Sequence, residues 1–262
     1  MSTVFFLFFL HLSLGLLATL PLVPEKAGRS YFKFCSAAAA FMCTAALWLL
    51  YRRHGLGTHS APGGARYRLV LVLVGACLLA CVLYNRARHF GWRRAYTPLL
   101  AAALTAGAGA IVAGAAYALV VAADVTSVVL LGAAASAMVL GHWYLVVLDL
   151  PITALRRLTV LLAAGIVLRA LAVALVLAGP AALAVTQVRE VAAGIWSPDG
   201  VFVWMRLLFG LAGPVCLIWF IWKTVELRST QSATGILYVQ LFLVMAGELL
   251  AKYLRVVAGY PL

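Results

Sequence analysis

Apolar residues in this chain neither alternate nor recur with a helical stripe. They come in long runs separated by short breaks of proline, glycine or basic residues. Eight runs can be drawn, at 4–23, 31–51, 67–84, 96–122, 126–148, 158–177, 201–222 and 232–254. Each is about 20 residues, the length a helix needs to cross the hydrocarbon of a bilayer. The breaks are of the kind that stop helices: Pro21 and Pro24, Arg52 and Arg53, Asp149 and Pro151, Gly179 and Pro180. The longest polar stretch, 186–200 with Trp196, Pro198 and Asp199, is too short for a folded domain and reads as an interfacial loop. The pattern therefore predicts an all-α, polytopic transmembrane helical bundle of about eight helices, with 1–262 as one integral membrane domain. The first run lacks a basic segment before it and a small-residue cleavage site after it, so it reads as a retained helix. Ala106, Ala110 and Gly114 form a small-residue stripe for close helix approach, and Gly213–Pro214 predicts a kink in the seventh run. No internal repeat supports an inverted-repeat transporter.

Composition agrees and narrows the class. Hydrophobic residues make up 66% of the chain, charged residues 10%, and the mean hydropathy is +1.08. A water-soluble fold would carry roughly 25% charged residues. The net charge of +13 would suggest nucleic acid in a soluble protein. Here the basic residues flank apolar runs, which is the pattern of membrane topology and anionic lipid; the lipid bilayer is the partner implied, and no nucleic acid. Lys and Arg are more numerous beyond runs one, three, five and seven than on the opposite side, which places both termini outside. The Ala-, Gly-, Leu- and Arg-rich composition points to a bacterial cytoplasmic (inner) membrane. Cys35, Cys43, Cys77, Cys81 and Cys216 all fall within apolar runs and read as small buried hydrophobes. Cys77 and Cys81 share a helix face, but no His or carboxylate close in sequence completes a metal site.

Ionisable groups inside the hydrocarbon cost about 2.5–3.5 kcal/mol each on insertion scales, so they mark candidate chemistry. Four stand out: His11, His142, Arg169 and Glu248. From a helical rise of about 1.5 Å per residue, His11, Arg169 and Glu248 lie at similar depth below the outer face, with Arg206 within a turn or two of it. Lys252 is one turn beyond Glu248 on the same face. His11, Arg169, Glu248, Arg206 and Lys252 are expected to form one polar cluster in the outer half, with Glu248, Arg169 and His11 as candidates for proton transfer and Arg206 for ligand contacts; His142 and Tyr144, near the inner end of the fifth run, are separate candidates for ligand contacts. Three alternatives remain open: a ligand or proton-relay pocket, an Arg169–Glu248 pair that only fixes packing, and local Glu248–Lys252 neutralisation. Trp143 and Tyr144 also fit an aromatic belt at a helix end. His11 and His142 differ in depth by roughly 10 Å, which argues against a haem shared between them; a single-His haem stays open. His54, His59 and His89 read as loop residues. Hydrolase, zinc-protease, phosphate-loop and prenyl-pyrophosphate motifs are absent from the sequence.

The stretch Gly247-Glu248-Leu249-Leu250-Ala251-Lys252-Tyr253-Leu254 resembles the last helix of quinol-interacting membrane anchors of the dimethyl sulfoxide reductase and polysulfide reductase (NrfD-like) families. The resemblance covers this one helix. It implies a membrane subunit of a respiratory redox complex, a quinone as the reacting molecule, Glu248 in quinone-linked proton transfer, and an iron–sulfur protein subunit as electron partner. The competing readings are a small permease for an anionic solute with Arg169 as the binding charge, and a non-catalytic assembly or scaffold protein.

Overall fold

The computed structural model describes residues 1–54, 64–115, 118–147, 150–178 and 200–257. The expected breaks at Asp149 and Gly179–Pro180, the polar stretch up to Asp199, and His59 lie outside the described residues. Eight helices are present among those described, each long and apolar enough to cross a membrane. They are α1 (Ser2–Thr19), α2 (Gly28–His54), α3 (Gly64–Phe90), α4 (Arg93–Gly114), α5 (Ala118–Trp143), α6 (Thr153–Ala178), α7 (Gly200–Glu226) and α8 (Thr230–Val257). Spanning helices alternate in direction, so Met1 and the end of α8 share one side, the terminal face. The turns after α1, α3, α5 and α7 share the other.

Pro21 and Pro24 stop α1, as expected, because proline lacks the N–H that would continue it. Two 3₁₀ turns, Leu20–Leu22 and Glu25–Ala27, carry the chain across to Gly28. Gly28 has φ +82, a left-handed conformation that glycine adopts without a Cβ clash. The kink expected at Gly213–Pro214 takes the form of a π turn at Leu208–Ala212, immediately before Pro214. The wider turn accommodates a proline ring that would otherwise press on the carbonyl four residues earlier.

The most enclosed helix is α1, which packs against α2, α4, α5 and α8. Its closest crossing is with α5, where a side chain on Gly15 would run into Val128 and Gly132 backbone, and one on Gly132 into Gly15. Backbones in this contact touch directly, the small-residue packing that replaces a hydrophobic driving force within lipid. Against α4 the small position is Gly107, filled by Leu14. The stripe on α4 is therefore Ala103, Gly107 and Ala110, shifted from the one expected; Gly114 is exposed with no neighbour in reach. Large apolar residues such as Phe41, Val72, Trp219 and Phe242 face outward to the lipid.

One boundary departs from expectation with consequences for the site. The run 96–122 is not a single span. α4 ends at Gly114, Ala115 takes extended backbone with φ −81 and ψ 141, and α5 has begun by Ala118. Asp124, which marks a break by composition, instead sits inside α5. The third span also continues as helix to Phe90, so His89 is a helical residue, exposed beside Lys33, and not a loop residue; α2 likewise runs through His54. Cys216 is exposed, contrary to the expectation for all five cysteines.

Replacing Gly15 by leucine is expected to destabilise the protein by about 3 kcal/mol or more, because backbone on α5 has nowhere to retreat. Unfolding of the purified protein in mixed micelles checks this. Gly75→Ala, at a position with open space around it, is the control and is expected to be neutral or stabilising.

A buried ionic cluster as candidate functional site

Within the terminal-face half of the bundle, one carboxylate gathers three cations. Glu248 on α8 is fully buried. Its Oε1 accepts from Arg169 Nε at 2.9 Å and from Arg206 Nη2 at 3.4 Å. Its Oε2 accepts from Lys252 Nζ at 3.2 Å, from Arg169 Nη2 at 3.4 Å and from Ser127 Oγ at 2.5 Å. Arg169 comes from α6, Arg206 from α7, Ser127 from α5 and Lys252 from one turn further along α8. Four helices are thus tied at a single point. Arg169 also donates Nη1 to the Ala123 carbonyl at 3.1 Å, so the guanidinium is held on both sides.

Ser127 links this centre to a second, shallower one. Its Oγ accepts from Lys252 Nζ at 2.7 Å and lies 3.2 Å from Nδ1 of His11 on α1. His11 Nε2 faces Asp124 Oδ1 at 3.7 Å, and Asp124 Oδ1 accepts from Arg255 Nη1 at 2.5 Å. Asp124 lies about one turn closer to the terminal face than Ser127, and Arg255 about two turns closer than Glu248. Hydrogen bonds join Arg255 to Asp124 and join His11, Ser127 and Glu248; between these two groups His11 Nε2 stands 3.7 Å from Asp124, beyond hydrogen-bond reach and without a partner among the described residues.

Hydrogen counting gives this chain a chemical property. A neutral His11 that directs Nε2–H at Asp124 leaves Nδ1 as an acceptor, and its only donor is the Ser127 hydroxyl. That same hydroxyl hydrogen is the one donated to Glu248 Oε2. One hydrogen faces two acceptors, the Glu248 carboxylate at 2.5 Å and the His11 imidazole at 3.2 Å.

The charges do not balance. Among the described residues, Arg169, Arg206, Lys252 and Arg255 face only Glu248 and Asp124, four cations to two carboxylates. Arg206 is the side chain least served. It is fully buried, yet Nε and Nη1 have no partner among the described residues. Nη1 occupies the space that a side chain on Gly210 would fill, beside the Gly210–Gly247 contact of α7 and α8. The two glycines and the π turn together make the room for this guanidinium. Beside the cluster, Met1, Val4, Phe5, Phe202, Leu249, Leu250 and Tyr253 line an apolar groove of about 350 Å³ between α1, α7 and α8. Leu249 and Tyr253 directly follow Glu248 and Lys252 in the chain.

Of the residues expected from sequence to act, Glu248, Arg169, Arg206 and His11 meet in this cluster. Lys252 joins them, so the Arg169–Glu248 pair and the Glu248–Lys252 pair exist together and are not alternatives. His142 and Tyr144 lie elsewhere, near the opposite face. His142 Nδ1 is 3.3 Å from Tyr238 Oη. The Tyr144 hydroxyl donates to the Pro151 carbonyl at 2.6 Å and ties the end of α5 to the start of α6. Burial raises the Tyr144 phenol above its ordinary value and keeps it a donor. Asp124, Ser127 and Arg255 are site residues that sequence reasoning missed. A further buried polar group, Gln240, stands two turns deeper than Glu248 on α8 with neither amide atom partnered. Away from the cluster, the thiol of Cys43 donates to the Val74 carbonyl at 3.6 Å across the α2–α3 contact. Among the described residues no group of His, Cys, Asp and Glu is arranged to hold a metal ion.

No family model, no curated protein and no solved structure matches the chain.

Glu248→Gln is expected to destabilise the protein by about 3–5 kcal/mol, since it strands three buried cations against a neutral amide. Unfolding in mixed micelles measures it. Glu226→Gln, which weakens exposed contacts with Lys223 at 3.0 Å and Trp222 Nε1 at 2.9 Å, should change stability by less than about 1 kcal/mol. Equal effects from the two substitutions would contradict the reading of Glu248 as the cluster's common counter-charge.

Proposed function

We propose that the protein is a quinone-reactive membrane subunit of a redox complex, exchanging protons between an intramembrane ligand and the terminal face through Glu248, Ser127, His11 and Asp124. The observation that carries this reading is the row of titratable and hydroxyl groups that ends, at its deep end, on the unpartnered donors of Arg206. A quinone carbonyl needs hydrogen-bond donors, and Arg206 Nε and Nη1 are buried donors without acceptors. A lipid-soluble molecule reaches a site sideways, and an apolar groove lies beside this one. When bound, a quinone supplies two-electron, two-proton chemistry. The chain's own part is to orient the carbonyl, to stabilise negative charge with surplus cations and to relay protons. Electrons would pass to a partner subunit; an iron–sulfur protein is the class implied by the resemblance of α8.

A second reading, an anion permease, draws on the two surplus positive charges. Against it stands the one-sidedness of the cluster. Its polar groups lead to the terminal face, whereas Gly15 and Gly132 close the bundle below by backbone contact.

The location of the cations also bears on orientation. Arg169, Arg206, Lys252 and Arg255 belong to the cluster and do not count as loop charges. With them removed, the described part of the terminal face keeps Arg52, Arg53, Arg66 and Arg68. The opposite face keeps Lys26, Arg29, Lys33, Arg86, Arg88, Arg93, Arg94, Arg156, Arg157, Lys223 and Arg228. The positive-inside bias then supports a cytoplasmic basic face with the termini outside, in a bacterial cytoplasmic membrane.

Titration of the purified protein with short-chain benzoquinone and naphthoquinone, followed by tryptophan fluorescence, tests the reading. Saturable binding is expected, weakened by tenfold or more in Arg206→Gln, because a hydrogen bond from a charged group is worth about 1.5–3 kcal/mol. Absence of binding in a monodisperse preparation would overturn it. Anion efflux from proteoliposomes that disappears in Arg169→Gln would replace it with the permease.

A further inference from the structure

The basic face carries a second polar feature, remote from the cluster. A cavity of about 600 Å³ lies where the α1–α2 turn meets α2, α3 and α4. Its inner wall is apolar, with Leu20, Val23, Phe32 and Leu100. Its outer rim is polar, with Glu25, Tyr84, Arg88, Arg93, Tyr96 and Thr97. Leu100 is seven residues along α4 from Arg93, so these two residues lie about 10 Å apart along the bilayer normal. The cavity is amphiphilic in the same direction as a phospholipid in the leaflet around it.

Arg88 organises the rim. Its guanidinium lies between the rings of Phe32 and Tyr96, each centred 3.9 Å away. Nη1 holds both oxygens of Glu25, at 2.9 and 2.8 Å, and Nε donates to the Tyr84 hydroxyl at 3.0 Å. This ion pair neutralises the only carboxylate on the rim and fixes the rings. What remains is donor chemistry. Tyr84 accepts from Arg88 and keeps its own hydroxyl hydrogen, and Arg93, exposed at the start of α4, has no carboxylate facing it. Arg29 adds to this corner, its guanidinium lying over Gly91, whose φ of +77 turns α3 into α4.

We infer that this cavity is a binding site for the phosphodiester headgroup of an anionic phospholipid, held by Arg93 and the hydroxyls of Tyr84, Tyr96 and Thr97, with an acyl chain along Leu20 and Leu100. Basic pockets between transmembrane helices take such headgroups because a guanidinium at the interface meets phosphate where both are partly desolvated. The inference is independent of the chemistry proposed for Glu248. Free phosphate offers the same oxygens but nothing for the apolar wall.

Native mass spectrometry of the intact protein, incubated with equal amounts of phosphatidylglycerol and phosphatidylcholine, tests this. Wild type is expected to retain phosphatidylglycerol preferentially. Arg93→Gln should reduce that preference about fivefold, from roughly one interfacial charge contact. Tyr96→Phe keeps the ring over Arg88 and removes one donor, so a smaller loss is expected. Arg157→Gln alters an exposed cation outside the cavity and should leave the preference unchanged. Equal retention of the two lipids, or equal losses in Arg93→Gln and Arg157→Gln, would overturn the site in favour of diffuse surface charge. Thermal stabilisation by inorganic phosphate alone, matching that given by phosphatidylglycerol, would overturn the lipid as its occupant.

Discussion

A carboxylate inside hydrocarbon must be surrounded by donors, and in this protein that requirement is met by Glu248 drawing one cation from each of α6, α7 and its own helix. Lipid gives these helices little reason to associate through apolar contact, since the tails are as apolar as the leucines. The ionic centre supplies a reason of a different kind. Separating α7 from α8 would leave Arg206 and Glu248 in lipid, each at a cost of several kcal/mol. The glycine contact between Gly210 and Gly247 follows from the same need, because only a missing side chain leaves room for the Arg206 guanidinium there.

The cluster exceeds what helix packing alone asks for. One Arg–Glu pair would neutralise a buried carboxylate, and Arg169 already does so through two of its nitrogens. Arg206, Lys252 and Arg255 then add charge that must be stabilised in its turn, and Arg206 keeps two buried donors without acceptors. Structural ion pairs tend toward full satisfaction, whereas binding sites hold unsatisfied groups for a ligand. The serine hydroxyl between Glu248 and His11 adds a hydrogen bond to a titratable side chain that neutralising Glu248 does not require. These two departures together favour a site over a staple.

Much of the fold was legible because membrane helices announce themselves by length and apolarity. The number of spans, the stop at Pro21 and Pro24 and the distortion before Pro214 follow from local chemistry. The boundary between α4 and α5 was not legible, and the reason is physical. The stretch from 96 to 148 holds a single charged residue, Asp124, and an isolated charge reads as the water-exposed break. In the fold Arg255 pairs with it across helices, so the charge sits within the span, while α4 ends at Gly114 with Ala115 in extended backbone. Asp124 and Ser127 were missed for that reason. His11, Arg169, Arg206 and Glu248 were found because depth along each helix is readable from spacing. His142 was expected near the inner end of its span, roughly 10 Å from His11 in depth, and it lies at that end of α5, apart from the cluster.

Arginine serves two separate purposes in this chain, and distinguishing them changes the topology argument. At the basic face Arg88 stacks between aromatic rings, and Arg93 and Arg94 stand exposed at the level where headgroups lie. In the terminal-face half Arg169 and Arg206 are buried with carboxylate, below the level of any headgroup. A sequence count adds the two populations together and weakens the asymmetry between faces. Only the interfacial population experiences the field that orients a helix during insertion. The buried population is stabilised after the helices meet. Counting the interfacial cations alone sharpens the bias toward the face that carries the proposed phospholipid cavity, so the charge that sets topology and the charge that would recognise lipid lie on the same side.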